Sequence, residues 1–506
     1  MKRVLKSAVF YLLFVVLIEG VKAQGVDSSK YYQYVFKKYF AYLKTESASE
    51  DKDLKEMPEF KHYIINSLHW GTKQDEEGNM VSFGESLYDY YNETDDIAGE
   101  FELEWSYNAP DALWSKLNPY GDDNRNAGQG LIISLWVNKD NVNHILAGGQ
   151  YCGGLWETID GGANWYNLTE DYPLIQGISS IWVNPNDTNQ IFVTSSYDAE
   201  HLSGYSCGLY YTYNGGNDWH LNRCLVIDEN NDSSYYYPFG NSKLSPRVFL
   251  RNPVDTNIMY LALVNQLLQS TDNGSTWKIL LKVPGDDNYF QPWIGKRFFN
   301  DMTFDPVDPS ILYLCGPKAF RIEDNGENII EITDSLLAVP GNTDTIAKSI
   351  QVDVDVNYPD SVWFTVLHGE NSFLIVNYNK ITNMYTRYSI NEVLSEHWFE
   401  CDISPTDPNL INVGGGIVHR YNIQTGTKQS LGCCWQGFHN DSRSSESCID
   451  EEGNEILFLG TDGGITKVVN PETAGGIFNI LPTMEITASE TLTSRVLMFR
   501  GMVMIF

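Results

Sequence analysis

Short apolar runs separated by polar turns follow one another along most of the chain, and the arrangement repeats. In each repeat, an apolar run leads into a turn of the type Asn-Pro-x-Asp, and a second apolar run leaves it. Pro presets a backbone dihedral of such a turn and Asp accepts hydrogen bonds from its backbone. Each repeat therefore predicts two antiparallel strands joined by a tight turn.

The spacing of these turns predicts the architecture. One polar residue marks each turn, namely Asn138, Asn184, Asn252, Asp305, Asn357, Ser404 and Asp450. Successive markers are 46, 68, 53, 52, 47 and 46 residues apart. A period of about 40–50 residues is typical of one four-stranded blade. We therefore predict an all-β fold, a β-propeller of about seven four-stranded blades.

A second motif recurs about twenty residues after the early markers. Residues 158–165 read T-I-D-G-G-A-N-W, residues 212–219 read T-Y-N-G-G-N-D-W, and residues 270–277 read S-T-D-N-G-S-T-W. A decayed copy, residues 322–329, keeps Asp324 and Gly326 but lacks the Trp. In a tight hairpin, the acidic or amide side chain accepts backbone N–H groups, the Gly permits a positive φ and the Trp is buried. We assign this structural role to Asp160, Gly162, Trp165, Asn214, Gly216, Trp219, Asp272, Gly274 and Trp277.

The motif resembles the Asp-box, or BNR repeat, which marks the hairpin between the two outer strands of a propeller blade. Residues 105–475 resemble secreted bacterial Asp-box propellers, which are related in fold to the sortilin ectodomain. In that group a helical segment commonly precedes a W…N-P…G-x-G pattern, and Trp114, Asn118-Pro119 and residues 128–130 fit it. The resemblance implies that these hairpins lie away from the binding face.

The rest of the chain divides by composition. Residues 1–23 read as a signal peptide, with basic residues before an apolar run and a small-residue cleavage site. Residues 24–100 form a helical prefix and an acidic linker, and residues 101–480 form the propeller. We expect the last blade to be incomplete, because the strand pattern dissolves after Gly475, and residues 481–506 to be an aberrant tail left by truncation. Residues 101–107 are a candidate for the strand that closes the ring.

The net charge and the cysteine content restrict the classes of partner and the cellular location that we expect. The chain has 34 basic and 66 acidic residues, a net charge of −32, which repels nucleic acid and anionic membranes. We expect an exported protein, extracellular or at the cell surface, that does not insert into the membrane after signal removal and needs no cofactor or metal. Disulfides are permissible there. Cys207 and Cys224 could pair across a hairpin, Cys433, Cys434 and Cys448 could supply another bridge, and Cys315 is expected as a buried free thiol.

One loop carries a candidate catalytic residue. Residues 460–465 read G-T-D-G-G-I, and the loop resembles the one that holds the general acid of inverting xyloglucanases, which implies that role for Asp462. Inverting chemistry needs a second carboxylate at roughly 6.5–9.5 Å from the first. The resemblance implies that Tyr151 stands where those enzymes place the base, and a Tyr is a poor base at neutral pH. Asp441 and His439 are the remaining candidates, so no catalytic residue is assigned.

Two functions from different classes remain open. The first is a binding module for a polysaccharide or a surface protein, with Tyr151, Trp435, His439 and Arg443 as candidate ligand-binding residues. The second is a glycoside hydrolase of xyloglucanase-like type with Asp462 as the general acid. A structural envelope or adhesion protein is a third, weaker alternative.

Overall fold

A computed structural model describes sixteen stretches of the chain, and all of them lie within one of the two units into which the chain divides, Thr94–Phe506. The described residues are 131–150, 153–169, 172, 175, 177–196, 206–228, 230, 232–235, 245–283, 298–338, 347–368, 372–391, 400–432, 442–461, 464–471 and 477–480. The predicted signal peptide, helical prefix, closing strand and tail lie outside them. Within the described residues, no helix is long and apolar enough to cross a membrane.

Seven four-stranded antiparallel sheets form the molecule, each built from consecutive strands. Blades 1 and 2 consist of β1 Ile132–Val137, β2 Ile145–Gly149, β3 Leu155–Thr158, β4 Tyr166–Asn167, and then β5 Gly177–Asn184, β6 Asp187–Ser196, β7 Ser206–Thr212, β8 His220–Asn222. A separate two-stranded ribbon follows, with β9 Leu225–Ile227 and β10 Ser233–Tyr235. The all-β propeller predicted from the sequence is confirmed.

The remaining blades repeat the same order, with two short helical turns in blade 4, the 3-10 turn Asp324–Gly326 and α1 Thr333–Leu337. Blades 3 to 5 consist of β11 Pro246–Arg251, β12 Met259–Leu263, β13 Gln266–Ser270, β14 Lys278–Lys282; β15 Asp301–Phe304, β16 Leu312–Cys315, β17 Phe320–Glu323, β18 Asn328–Glu331; and β19 Ser349–Asp353, β20 Ser361–His368, β21 Ser372–Asn379, β22 Met384–Ile390. Blades 6 and 7 consist of β23 Glu400–Ile403, β24 Leu410–Gly414, β25 Val418–Asn422, β26 Thr427–Gly432; and β27 Ser442–Ile449, β28 Glu455–Thr461, β29 Gly464–Val469, β30 Ile477–Ile480.

The first strand of each blade lies next to the axis. Each first strand contacts the first strand of the next blade, and that of blade 7 contacts that of blade 1, so the seven surround a channel. We call the end where the first strands begin, and where the second and third strands connect, the loop face. The opposite end, with the turns between strands one and two and between strands three and four, is the hairpin face.

The turns between first and second strands form around a short polar side chain that accepts the backbone N–H two residues further on. Asn138, for example, accepts the N–H of Asp140 at 2.9 Å. In six blades this residue is the predicted marker. Blade 5 differs, because Asp355 accepts the N–H of Asn357 at 2.7 Å and takes the place we predicted for Asn357.

The three hairpins that carry the eight-residue motif share one hydrogen-bond pattern. In blade 1, Asp160 Oδ1 accepts the N–H of Asn164 at 2.9 Å, and Thr158 Oγ1 accepts the N–H of Gly162 at 2.9 Å. Asn214 and Asp272 accept equivalent N–H groups at 2.9 and 2.8 Å. The three Trp side chains are at most 3% exposed, so each hairpin is fixed to the body of the propeller.

Blade 7 corrects the expectation of an incomplete last blade. Its fourth strand, β30, pairs with β29, from Thr466 opposite Ile480 to Val469 opposite Ile477. The strand has only four residues and no Asp-box precedes it, so no sequence motif predicted it. All four strands of this blade come from one stretch of chain, and apolar packing against blade 1 closes the ring.

The predicted disulfides are also corrected. Among the described cysteines, Cys224, Cys315, Cys401 and Cys448 are free. Cys224 is free and not bridged to Cys207, and its side chain, 3% exposed, packs with Trp277 and Met259 between blades 2 and 3. Cys448 packs likewise between blades 7 and 1. Cys315 is a buried free thiol, as predicted.

Candidate functional site

Most of the side chains singled out from the sequence lie outside the described residues, namely Tyr151, Trp435, His439, Asp441 and Asp462. Arg443 is described. It is the second residue of β27, is half-buried, and lies at the loop face where blade 7 begins. The end of β28 at Thr461 and the start of β29 at Gly464 lie at the same face, and residue 462 between them is outside the described residues.

Four polar side chains lie where innermost strands begin at the loop face, two of them directly before the strand and two at its first position. They are Ser245, Asn300, Ser349 and Ser442, from blades 3, 4, 5 and 7, and we call them the mouth ring. Ser245, Ser349 and Ser442 are 2%, 0% and 1% exposed. Since the first strands lie side by side around the axis, the backbone of these four residues lies near the loop-face end of the channel.

The polar atoms of the mouth ring are buried without a partner in the described structure. This holds for the Oγ atoms of the three serines and for both Oδ1 and Nδ2 of Asn300. A buried polar atom that makes no hydrogen bond costs about 1–3 kcal/mol, and native proteins rarely keep several together. The mouth ring is thus a set of buried hydrogen-bonding groups that ordered water can satisfy.

Sequence reasoning did not find the mouth ring. Ser245 and Ser349 begin the runs S-P-R-V-F-L and S-I-Q-V-D, which contain apolar residues, whereas Ser442 begins the polar run S-R-S-S-E-S. That signal is weak, because a polar residue at the start of a strand is common in any β protein. The seven-fold ring alone brings the four positions together.

Carboxylates line the deeper channel and join neighbouring blades. Asp301 accepts the N–H of Val352 at 2.7 Å, and Asp353 accepts the N–H of Ile403 at 2.7 Å. Asp402 continues the series by accepting the N–H of Ser447 at 3.0 Å. Each bond links the innermost strand of one blade to that of the next.

Glu446 of blade 7 and Lys139 of blade 1 are two further charged residues of the channel, and they lie at the seam between these blades. The Glu446 carboxylate, followed by those of Asp353 and Asp402, holds the pKa of Lys139 above its usual value. Only a group near the axis can interact with carboxylates from blades 5, 6 and 7 together. Lys139 therefore serves as a shared counter-ion at the hairpin-face end of the channel.

Burial dominates the acid–base behaviour of the channel. It raises the pKa of Glu446 to about 7, against the lowering effect of Lys139. It raises the pKa of Asp353 well above the usual value, with a further contribution from the Asp402 carboxylate. The pKa of Asp402 is also raised by burial, although hydrogen bonds from Ser447 and Asn412 oppose the change. These carboxyl groups thus hold protons more tightly than free carboxyl groups do.

No group of three His, Cys, Asp or Glu side chains within the described part of the chain could hold a metal ion. Three of the channel carboxylates accept backbone N–H groups of the next blade, and burial raises the pKa of Asp353 and Asp402, which favours their neutral form.

No protein-family model matches this chain, and no curated protein matches it. Solved structures with a similar fold include an ancestral GH74 enzyme, 14% identical with a TM-score of 0.47, covering 67% of this chain and 45% of that one. The GH74 enzyme of Niastella koreensis is 14% identical with a TM-score of 0.48, covering 69% and 54%. The extracellular domain of a putative one-component system of B. thetaiotaomicron is 12% identical with a TM-score of 0.42, covering 67% and 38%.

The chain spans about half the length of the two GH74 enzymes. No residue role follows from these likenesses, and the fold rests on the strand pairing of this chain itself. The class defined by fold and site is a seven-bladed β-propeller with a polar channel mouth at its loop face.

Proposed function

We propose that this protein is an exported propeller that binds a glycan or protein ligand with its loop face, outside the cell or at the cell surface. The observation that carries the proposal is the mouth ring, in which buried hydroxyl and amide groups have no partner. A ligand rich in hydroxyl groups can donate to and accept from each of them.

Charge favours a neutral polysaccharide over a polyanion as the ligand. The chain has a net charge of −32, which repels polyanions at long range. The four side chains of the mouth ring are uncharged, so they offer a polyanion no compensating attraction. Tyr151 and Trp435, the aromatic ligand-binding candidates of the sequence, are proposed to stack on sugar rings.

The test is a binding screen of the whole chain against neutral and acidic polysaccharides and against surface proteins. We expect binding to a neutral glycan. Loss of one buried hydrogen bond should weaken this binding by about tenfold in Ser349→Ala or Ser442→Ala. Thr425→Ala removes a hydroxyl from an exposed hairpin-face turn of blade 6 and is the matched control. Equal affinity of all variants would place the ligand elsewhere.

The hydrolase alternative is tested in the same samples by release of reducing sugar. The proposed binding function predicts no release from any polysaccharide that binds. Release that Asp462→Asn abolishes would instead make the protein a glycoside hydrolase with Asp462 as its acid.

A further inference from the structure

The chain contains three Asn-Gly pairs, and each lies in a turn between the third and fourth strands of a blade. They are Asn214-Gly215, Asn273-Gly274 and Asn325-Gly326, in blades 2, 3 and 4. In such a pair, the backbone nitrogen of the glycine can attack Cγ of the asparagine, because no Cβ hinders the approach. A cyclic succinimide forms as ammonia leaves, and water then opens the ring to aspartate or isoaspartate.

The Asn214 side chain is held at both ends. Its Oδ1 accepts Thr212 Oγ1 at 2.8 Å and the N–H of Asp218 at 2.9 Å, and its Nδ2 donates to Asp218 Oδ2 at 2.7 Å. The attacking N–H of Gly215 donates to the Asn189 carbonyl at 3.0 Å. Reaction at this pair must break several of these bonds.

Asn273 is held in a similar way. The N–H of Gly274 donates to Ser270 Oγ at 2.8 Å, and Asn273 Oδ1 accepts Arg251 Nη2 at 2.7 Å. Both the nucleophile and the carbonyl that it must attack are engaged.

Asn325 lacks both restraints. Ile322 stands where Ser270 stands in blade 3, so no hydroxyl accepts the N–H of Gly326. The hydrogen bond of the 3-10 turn Asp324–Gly326 runs from the N–H of Glu327 to the Asp324 carbonyl at 3.4 Å, so it does not engage the N–H of Gly326. Asn325 Oδ1 is buried without a hydrogen-bond partner, and the residue has a positive φ of 54°.

We propose that Asn325 is a site of spontaneous deamidation in the folded protein, with the two other Asn-Gly pairs protected by their hairpin hydrogen bonds. The reaction exchanges the side-chain amide for a carboxyl group, consumes water and releases ammonia.

Deamidation of Asn325 would change contacts at the seam between blades 3 and 4. Gln269 Nε2 of blade 3 donates to the backbone carbonyl of Asn325 at 2.5 Å, and Leu280 packs against Gly326. Isoaspartate inserts a methylene into the main chain at this point and displaces both contacts. Deamidation is therefore expected to loosen this seam as the protein ages.

The experiment is incubation of the folded chain at mildly alkaline pH, followed by peptide mapping and mass spectrometry of the three pairs. Asn325 should convert at least about fivefold faster than Asn214 or Asn273, since each protecting hydrogen bond slows the reaction by about that factor. In urea all three should convert at similar rates, because their local sequences are alike. Conversion of Asn273 or Asn214 as fast as Asn325 in the folded chain overturns the proposal.

Two reciprocal variants distinguish protection by hairpin hydrogen bonds from a difference in solvent exposure as the cause of the different deamidation rates. Ser270→Ala should accelerate Asn273 toward the rate of Asn325. Ile322→Thr supplies the hydroxyl that blades 1 and 2 have at this position and should slow Asn325 without changing Asn273. If Ser270→Ala leaves the rate at Asn273 unchanged in a folded chain, the proposed protection is wrong.

Discussion

At the scale of single residues, Glu446 is the clearest case of a group whose environment sets its chemistry. Burial raises its pKa from 4.5 to about 7 in the folded chain. The folded state therefore binds the proton more tightly than the unfolded state does, and stability falls as pH rises from about 4.5 to 7. The raised pKa values of Asp353 and Asp402 act in the same direction.

The resulting prediction is that the propeller becomes more stable when pH is lowered from 8 to 5. Glu446→Gln removes one source of this dependence and should raise the free energy of unfolding at pH 8 by on the order of 1–3 kcal/mol. Urea unfolding at both pH values measures the effect. A Gln variant that is less stable at pH 8 would mean that the attraction of Glu446 to Lys139 outweighs its burial.

At the scale of elements, ion pairs differ strongly in burial. Lys380 of blade 5 donates to Asp305 Oδ2 of blade 4 at 2.6 Å, and the Asp305 side chain is 1% exposed. Lys318 and Glu331 of blade 4 are also paired, but their side chains are 39% and 42% exposed. Only the buried pair leaves an uncompensated charge when its cation is removed.

Lys380→Met should therefore lower the free energy of unfolding by about 2–4 kcal/mol, because the Asp305 carboxylate loses its counter-ion. The matched variant Lys318→Met should cost at most about 1 kcal/mol. Chemical denaturation of the two variants side by side provides the measurement, and equal losses would show that burial of Asp305 does not matter.

The turns between first and second strands show how well single secondary-structure elements can be predicted from the sequence. Six of the seven marker positions were identified correctly because Asn, Asp and Ser cap these turns through local hydrogen bonds. In blade 5, the side chains of Asp355 and Asn357 are equally suitable as acceptors in the turn, and only the strand register determines that Asp355 takes this role. Strand β30 was missed because four residues carry too little periodicity.

The candidate site was predicted less well than the fold, for a physical reason. Within each of the two sets, the mouth ring and the channel carboxylates, the residues are 44 or more positions apart along the chain and meet only when the ring closes. No local pattern distinguishes Ser349 from any other serine that begins a strand. The fold, by contrast, can be predicted from a repeat that is present in the sequence of each blade.

At the scale of the whole molecule, closure of the ring rests on side-chain packing between blades 7 and 1. Ile132, Val137 and Ile145 of blade 1 share a buried cluster with Ile456, Phe458 and Ile465 of blade 7. The sheet of blade 7 takes all its strands from its own stretch of chain, so this apolar seam replaces a shared strand.

Phe458 is 0% exposed, and Phe458→Ala should lower the free energy of unfolding by about 3–5 kcal/mol through the cavity it leaves in the closing seam. Ile381→Ala, at a side chain that is 75% exposed, is the control and should change stability by less than about 0.5 kcal/mol. Thermal unfolding monitored by circular dichroism distinguishes them, and a loss below that of the control would place ring closure elsewhere.

The measurement that tests the central claim most directly is the paired effect of Ser349→Ala on stability and on ligand affinity. The Ser349 hydroxyl is buried without a partner in the free protein, so its removal should raise the free energy of unfolding by about 1 kcal/mol. The same change should weaken binding of the glycan found in the screen. A variant that is both more stable and a poorer binder is the predicted result, whereas one that is less stable with unchanged affinity would contradict a ligand site at the mouth ring.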